Sequence, residues 1–220
     1  MEFSPFEVVV DPELSARFPG IEVLGVLLRG LRVREKSEEV EEAKKALYEY
    51  VRKKYSLETL RDVPAFRAYR DFFWRIGIDP TKMRPSSEAL VRRILLGKEL
   101  PRINTLVDSY NMASIESEIT MAAFDASRIT GKISINYSLP GEEFLGIGMD
   151  HPLVLSGGEV VIRDESRILS IYPYRDAEHS KVSLDTVDSV LLVCGVPGIP
   201  RNKLEEALEI AVRYVQRLVK

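Results

Sequence analysis

The sequence predicts an α+β fold: a mixed sheet core with flanking helices, a helical N-terminal part and a closing C-terminal helix. Three observations carry that prediction. Helix-period segments fill residues 37–117, after two short apolar runs at the start. From about residue 115 the texture changes to β-branched runs punctuated by Pro140-Gly141, Gly157-Gly158 and Asp164-Glu165. The chain then closes on one amphipathic segment, so strands and helices are segregated instead of alternating as βαβ units would. The chain's 220 residues hold no internal repeat and no long linker, which predicts a single domain over 1–220.

The elements follow in order. Residues 7–10 and 21–28 are rich in Val, Ile and Leu and read as strands, with Asp11-Pro12 and Pro19-Gly20 as turns between them. Ser37 opens a helix in which Val40, Ala43, Leu47, Tyr50 and Val51 fall at helical spacing. Its acids (Glu38, Glu39, Glu41, Glu42) precede its bases, as the helix macrodipole favours. Pro64 starts an aromatic helix that stops at Gly77, and its spacing is that of a buried stripe. Ser86 or Ser87 caps a helix ending at Gly97, and a further helix runs over 103–117. Strands are expected at 132–137, 159–163, 167–172 and 187–196. A final helix over 201–220 buries Leu204, Leu208, Ala211, Val215 and Leu218.

Composition bounds the function. The net charge is −3 and the pI about 5.6, so no global basic field recruits DNA. The single Cys194 can form no internal disulfide, which fits a cytoplasmic protein. No segment approaches the roughly 18 apolar residues of a membrane span, and the N-terminus carries no signal-peptide pattern. Neither phosphate-binding Gly loops nor Cys/His metal spacings occur, so neither cofactor nor metal is expected. His179 is the better placed of two histidines for proton transfer, though a plain exposed loop role fits it better.

Residues 84–111 concentrate the chemistry. At about 100° per residue, Asn104, Asp108, Asn111 and Ile115 share a flank beside the apolar face of their helix. Amides and a carboxylate there can bind a polar ligand or orient a water, or can satisfy backbone groups of the strand half. Gly141-Glu142-Glu143 is a second candidate, a turn that brings backbone and carboxylate close to a ligand. Arg84, Arg92, Arg93, Lys98 and Arg102 outnumber Glu88 and Glu99, a modest patch compatible with an RNA backbone.

Read together, R-P-S-S-E-A-L-V-R-R, L-P-R-I-N-T-L-V-D-S-Y-N, A-F-D-A-S-R-I-T-G-K-I, P-G-E-E-F and Y-P-Y-R-D…D-T resemble a stand-alone B3/B4 domain. That domain occurs in the β subunit of phenylalanyl-tRNA synthetase, where it hydrolyses tyrosine wrongly attached to the phenylalanine tRNA. The resemblance places a B3/B4-like core at about 84–196, with an extension over 1–83 and a closing helix over 201–220. It implies trans-editing: deacylation of a mischarged aminoacyl-tRNA, with tRNA or aminoacyl-tRNA as partner. A non-catalytic RNA- or amino-acid-binding module is the alternative.

The V-D-x-x-N motif falls on Val107, Asp108 and Asn111, so Asp108 and Asn111 are the catalytic candidates together with Glu142, which would hold the amino group or water. Tyr110, Ala122, Gly141 and Val193 are the substrate-binding candidates, and Arg84 and Arg93 the RNA-binding ones. Ala122 stands where the bacterial domain has histidine, and Val193 where it has the glutamate that reads the tyrosine hydroxyl. These departures imply a pocket that prefers a different, less polar side chain.

Overall fold

The computed structural model describes residues 1–219. In chain order the elements are β1 (Glu2–Phe6), β2 (Val8–Val10), α1 (Pro12–Arg17), β3 (Glu22–Arg29), α2 (Glu38–Lys54), α3 (Pro64–Arg75), α4 (Ser86–Leu95) and α5 (Thr105–Ser117). There follow β4 (Met121–Asp125), β5 (Ile133–Tyr137), β6 (Glu143–Phe144), β7 (Leu153–Val154), β8 (Val160–Arg163), β9 (Ile168–Ile171), β10 (Arg175–Asp176), β11 (Ser189–Gly195) and α6 (Arg201–Leu218). This is the expected α+β architecture.

Two sheets organise it. One has the order β1-β3-β11-β4 and is antiparallel throughout. The other runs β10-β9-β8-β5-β2, antiparallel except for the β2–β5 pair, while β6 and β7 form a small ribbon. β1 and β3 come from the N-terminal extension and lie in the same sheet as β4 and β11. Gly25 permits that contact, because a Cβ there would stand 2.6 Å from the carbonyl oxygen of Phe6. Apolar residues of both sheets and of α1, α3 and α6 share one core. A second cluster joins α2, α4 and α5 through Val40, Leu47, Val51, Val91, Ile94, Met112 and Ile115.

Several details differ from expectation. The segment read as two turns holds α1, because Asp11 accepts hydrogen bonds from the amides of Glu13 and Leu14 and Pro12 suits the first helical position. β4, fully buried, was not among the expected strands. Met-Ala-Ala-Phe-Asp has no β-branched residue, and its pairing with β11 makes it a strand. Neither Ser86 nor Ser87 caps α4: both lie inside its first turn and Pro85 precedes them. The aromatic helix α3 is a core helix, with Phe66, Tyr69, Phe72 and Phe73 buried and Trp74 alone of its aromatics well exposed.

Candidate functional site

A small cavity of about 150 Å³ opens where α5, β4, β9, β10 and β11 converge. Its wall is built from Tyr110 and Asn111 of α5, Thr120 to Ala122 at the start of β4, and Cys194 near the end of β11. Ser86, Ser170, Pro173, Tyr174 and Asp176 complete it. Room of this order accepts a benzene-sized group. A wider and more apolar groove of about 490 Å³, bordered by Ile103, Val107, Ile147 and Leu184, adjoins it, and Tyr110 and Asp176 line both.

The wall is held by buried hydrogen bonds. The Tyr69 hydroxyl donates to the carbonyl of Cys194 at 2.5 Å and accepts from the amide of Thr120 at 3.0 Å, tying β11 to β4 from behind. The Tyr172 hydroxyl donates to the carbonyl of Gly195 at 2.5 Å. These satisfied polar groups fix the floor in one geometry.

The expected site residues separate into two groups. Tyr110, Asn111 and Ala122 line the cavity. The side chain of Asn111 makes no hydrogen bond with the described residues, so its amide is free for a ligand. Asp108 turns the other way. It accepts from Lys44 of α2 at 2.7 Å, both side chains buried, and from the amide of Ile103 at 3.2 Å. Burial raises its pKa while Lys44 opposes the rise. Asn104 caps α5, accepting from the amide of Val107 at 2.9 Å. The shared flank drawn on a helical wheel thus splits between a cap, a buried ion pair and the cavity.

Glu142 lies outside the cavity's lining. It accepts from Arg163 at 2.8 Å and from the amide of Leu139 at 2.7 Å, closing the turn in which Gly141 has φ +84°. Val193 is fully buried in β11, where its side chain alternates away from that of its neighbour Cys194. The β11 position that meets the cavity is therefore Cys194, whose thiol burial pushes up and keeps protonated. Arg84 stands 3.9 Å from Glu88 and two positions before Ser86, while Arg93 donates to the carbonyl of Glu99. His179 contacts the carbonyl of Ile168 at 2.9 Å and is not part of the cavity.

The B3/4 domain family matches residues 68–220. The chain belongs to that family. A phenylalanine–tRNA ligase β subunit of Corynebacterium efficiens is 34% identical over 113 residues, which is 51% of this chain and 13% of that protein. The corresponding protein of Thermotoga maritima is 31% identical over 109 residues, 50% of this chain and 14% of its own length. The chain therefore spans a small part of these relatives. The crystal structure of an N-terminal fragment of the phenylalanyl-tRNA synthetase β subunit from Pyrococcus horikoshii is similar in fold, with a TM-score of 0.50 at 15% identity. That likeness covers 97% of this chain and 51% of the other.

Within this B3/4 domain the sequence reading did not single out Asp176, although Y-P-Y-R-D contains it. Among the described residues its carboxyl is the one charged group lining the small cavity, and it lies beside the hydroxyl of Ser170, which donates to the carbonyl of Arg175 at 2.9 Å. Burial raises its pKa to about 7. The signal available in sequence was a carboxylate flanked by aromatic and proline residues, but nothing there shows that β10 turns it inward. Asp125 of A-F-D and Thr186 of D-T are joined to each other at 2.6 Å, with Asp125 also accepting from Ser127. Those two motif residues serve the frame. No group of three or more His, Cys, Asp or Glu among the described residues could hold a metal, and no helix is long and apolar enough to cross a membrane.

Proposed function

We propose that this B3/4 domain protein deacylates mischarged aminoacyl-tRNA in trans, with the aminoacyl group in the small cavity and the terminal nucleoside in the adjoining groove. The observation that carries the proposal is the convergence of Asn111, Tyr110 and Ala122, picked out by motif, on one cavity that also holds a half-buried carboxylate, Asp176. A free amide donor suits an ester carbonyl, and the hydroxyls of Ser86, Thr120 and Ser170 suit a water. In the reaction water oxygen bonds to the carbonyl carbon, the ester C–O bond breaks, and the released ribose oxygen takes the proton. With alanine at position 122, the rate derives from positioning and from hydrogen bonds to the developing oxyanion. Arg84 and Arg93 are the proposed RNA phosphate contacts, and Asp108 and Glu142 hold α5 and the Gly141 turn in place.

Incubation with a panel of mischarged tRNAs tests this. Release of amino acid from at least one of them, faster than spontaneous ester hydrolysis, is expected; background rates on every member refute catalysis. The absence of a histidine at position 122 and the protonated thiol of Cys194 favour a second reading, a binder without turnover. Salt-sensitive tRNA binding with no hydrolysis distinguishes it.

A further inference from the structure

We infer that Asp176 holds the α-ammonium group of the bound aminoacyl ester, which makes a free amino group the feature this cavity reads. The inference rests on the deacylation-site reading and deepens it. Asp176 stands at the boundary between the small cavity and the apolar groove, together with Tyr110. In an aminoacyl nucleoside the α-carbon lies between side chain and ribose, so a group at that boundary faces the α-substituents. Of these, the ammonium is the one a carboxylate recognises. The small cavity is lined by no cationic side chain, so nothing there neutralises Asp176. Ser170 from β9 lies beside it, with its hydroxyl donated to the carbonyl of Arg175 at 2.9 Å.

The remaining groups facing Asp176 agree with this role. Tyr110 of α5 keeps its proton, through burial and through the nearby negative charge of Asp176. Cys194 of β11 does the same. Arg175, its neighbour on β10, packs against Gly146 and reaches toward the carbonyl of Ile147. Lys181 and Glu35 belong to the outer groove. Glu142, the sequence-based candidate for the amino group, is occupied by Arg163. Without ligand the Asp176 carboxyl titrates near 7, and an α-amino group near 8. Both partners are mostly charged only around those values, so binding is strongest there and weakens toward lower and higher pH.

The test measures binding to the full-length protein by calorimetry, with 3′-alanylamino-3′-deoxyadenosine and its phenylalanyl analogue, each as the free amine and as the N-acetyl derivative. The same protein is assayed for hydrolysis of aminoacyl-tRNA and N-acetylaminoacyl-tRNA. Free amines are expected to bind about 10- to 100-fold more tightly than their N-acetyl forms, with Asp176→Asn and Asp176→Ala each bringing the two within about twofold. Equal binding of both forms, or a preference that survives both substitutions, overturns the Asp176 assignment. Equal hydrolysis of both tRNAs also overturns it while leaving deacylation intact. An Asp176-dependent preference without hydrolysis upholds the assignment and refutes the deacylase. Failure of every ligand to bind, with no hydrolysis, refutes both.

Discussion

Asn111 and Asp108 lie three positions apart on one helix and do different work. Asn111 offers an unpaired amide to a cavity, whereas Asp108 is locked to Lys44 and to the amide of Ile103. Asn111→Ala is expected to lower deacylation about 100- to 1,000-fold, comparable to losing one oxyanion donor, while thermal melting stays within about 1–2 °C of the parent. Asp176 has a stability signature of its own. Its carboxyl loses a proton near 7 in the folded chain and near 3.9 when unfolded. The folded state binds more protons between those values, so stability falls as pH rises through that window. Asp176→Asn removes the ionisation penalty. Melting curves are expected to show it several degrees more stable at pH 8, with the gain vanishing toward pH 4. Such a gain, bought at the expense of ligand binding, is a common signature of a functional carboxylate. The residue types around the cavity were legible in the sequence, and Asn111 was found by motif. Asp176 was not, because its inward direction depends on the register of β10 against β9.

At the scale of elements, α5 is held at both ends by polar contacts. Asn104 and the Lys44–Asp108 pair fix its start. Glu118 at its end, with φ +66°, accepts from the Tyr55 hydroxyl at 2.7 Å and pairs with Lys203 of α6. Asp108→Ala leaves the buried Lys44 with Glu41, 3.2 Å away, as its remaining ion partner, and denaturant unfolding is expected to show a loss of up to about 3 kcal/mol. Activity should then fall with the folded fraction, in contrast to Asn111→Ala. Helical periodicity located α2, α3, α4 and α6 well, since each carries an apolar stripe, whereas α5 is buried on nearly every side, its polar residues included. α1 and β4 escaped notice: the first is only six residues long, and the second is a strand through its pairing with β11.

For the whole molecule, the N-terminal residues are structural members of the domain. β3 pairs with β11 over its length, and β1 covers the other edge of β3. A fragment beginning at residue 68, where the family match starts, lacks β1, β2, α1, β3, α2 and the first turn of α3. It exposes one edge of β11 and the apolar faces of the core. Expressed alone, residues 68–220 are expected to show no cooperative thermal transition by circular dichroism; a sharp one near the parent's melting temperature would contradict this account. β3 and β11, which lie on either side of the boundary expected near residue 84, share one sheet.

The sequence by itself determined the α+β class, the long helices, the family and the place of Asn111. Each of these is written in local period or local motif, which neighbours in the chain are enough to express. Tertiary structure decided which polar groups face the cavity. Asp108, Glu142 and Val193 are turned toward the frame, while Asp176 and Cys194 enter the cavity. A side chain's direction follows from strand register and helix rotation, and partners distant in sequence set both.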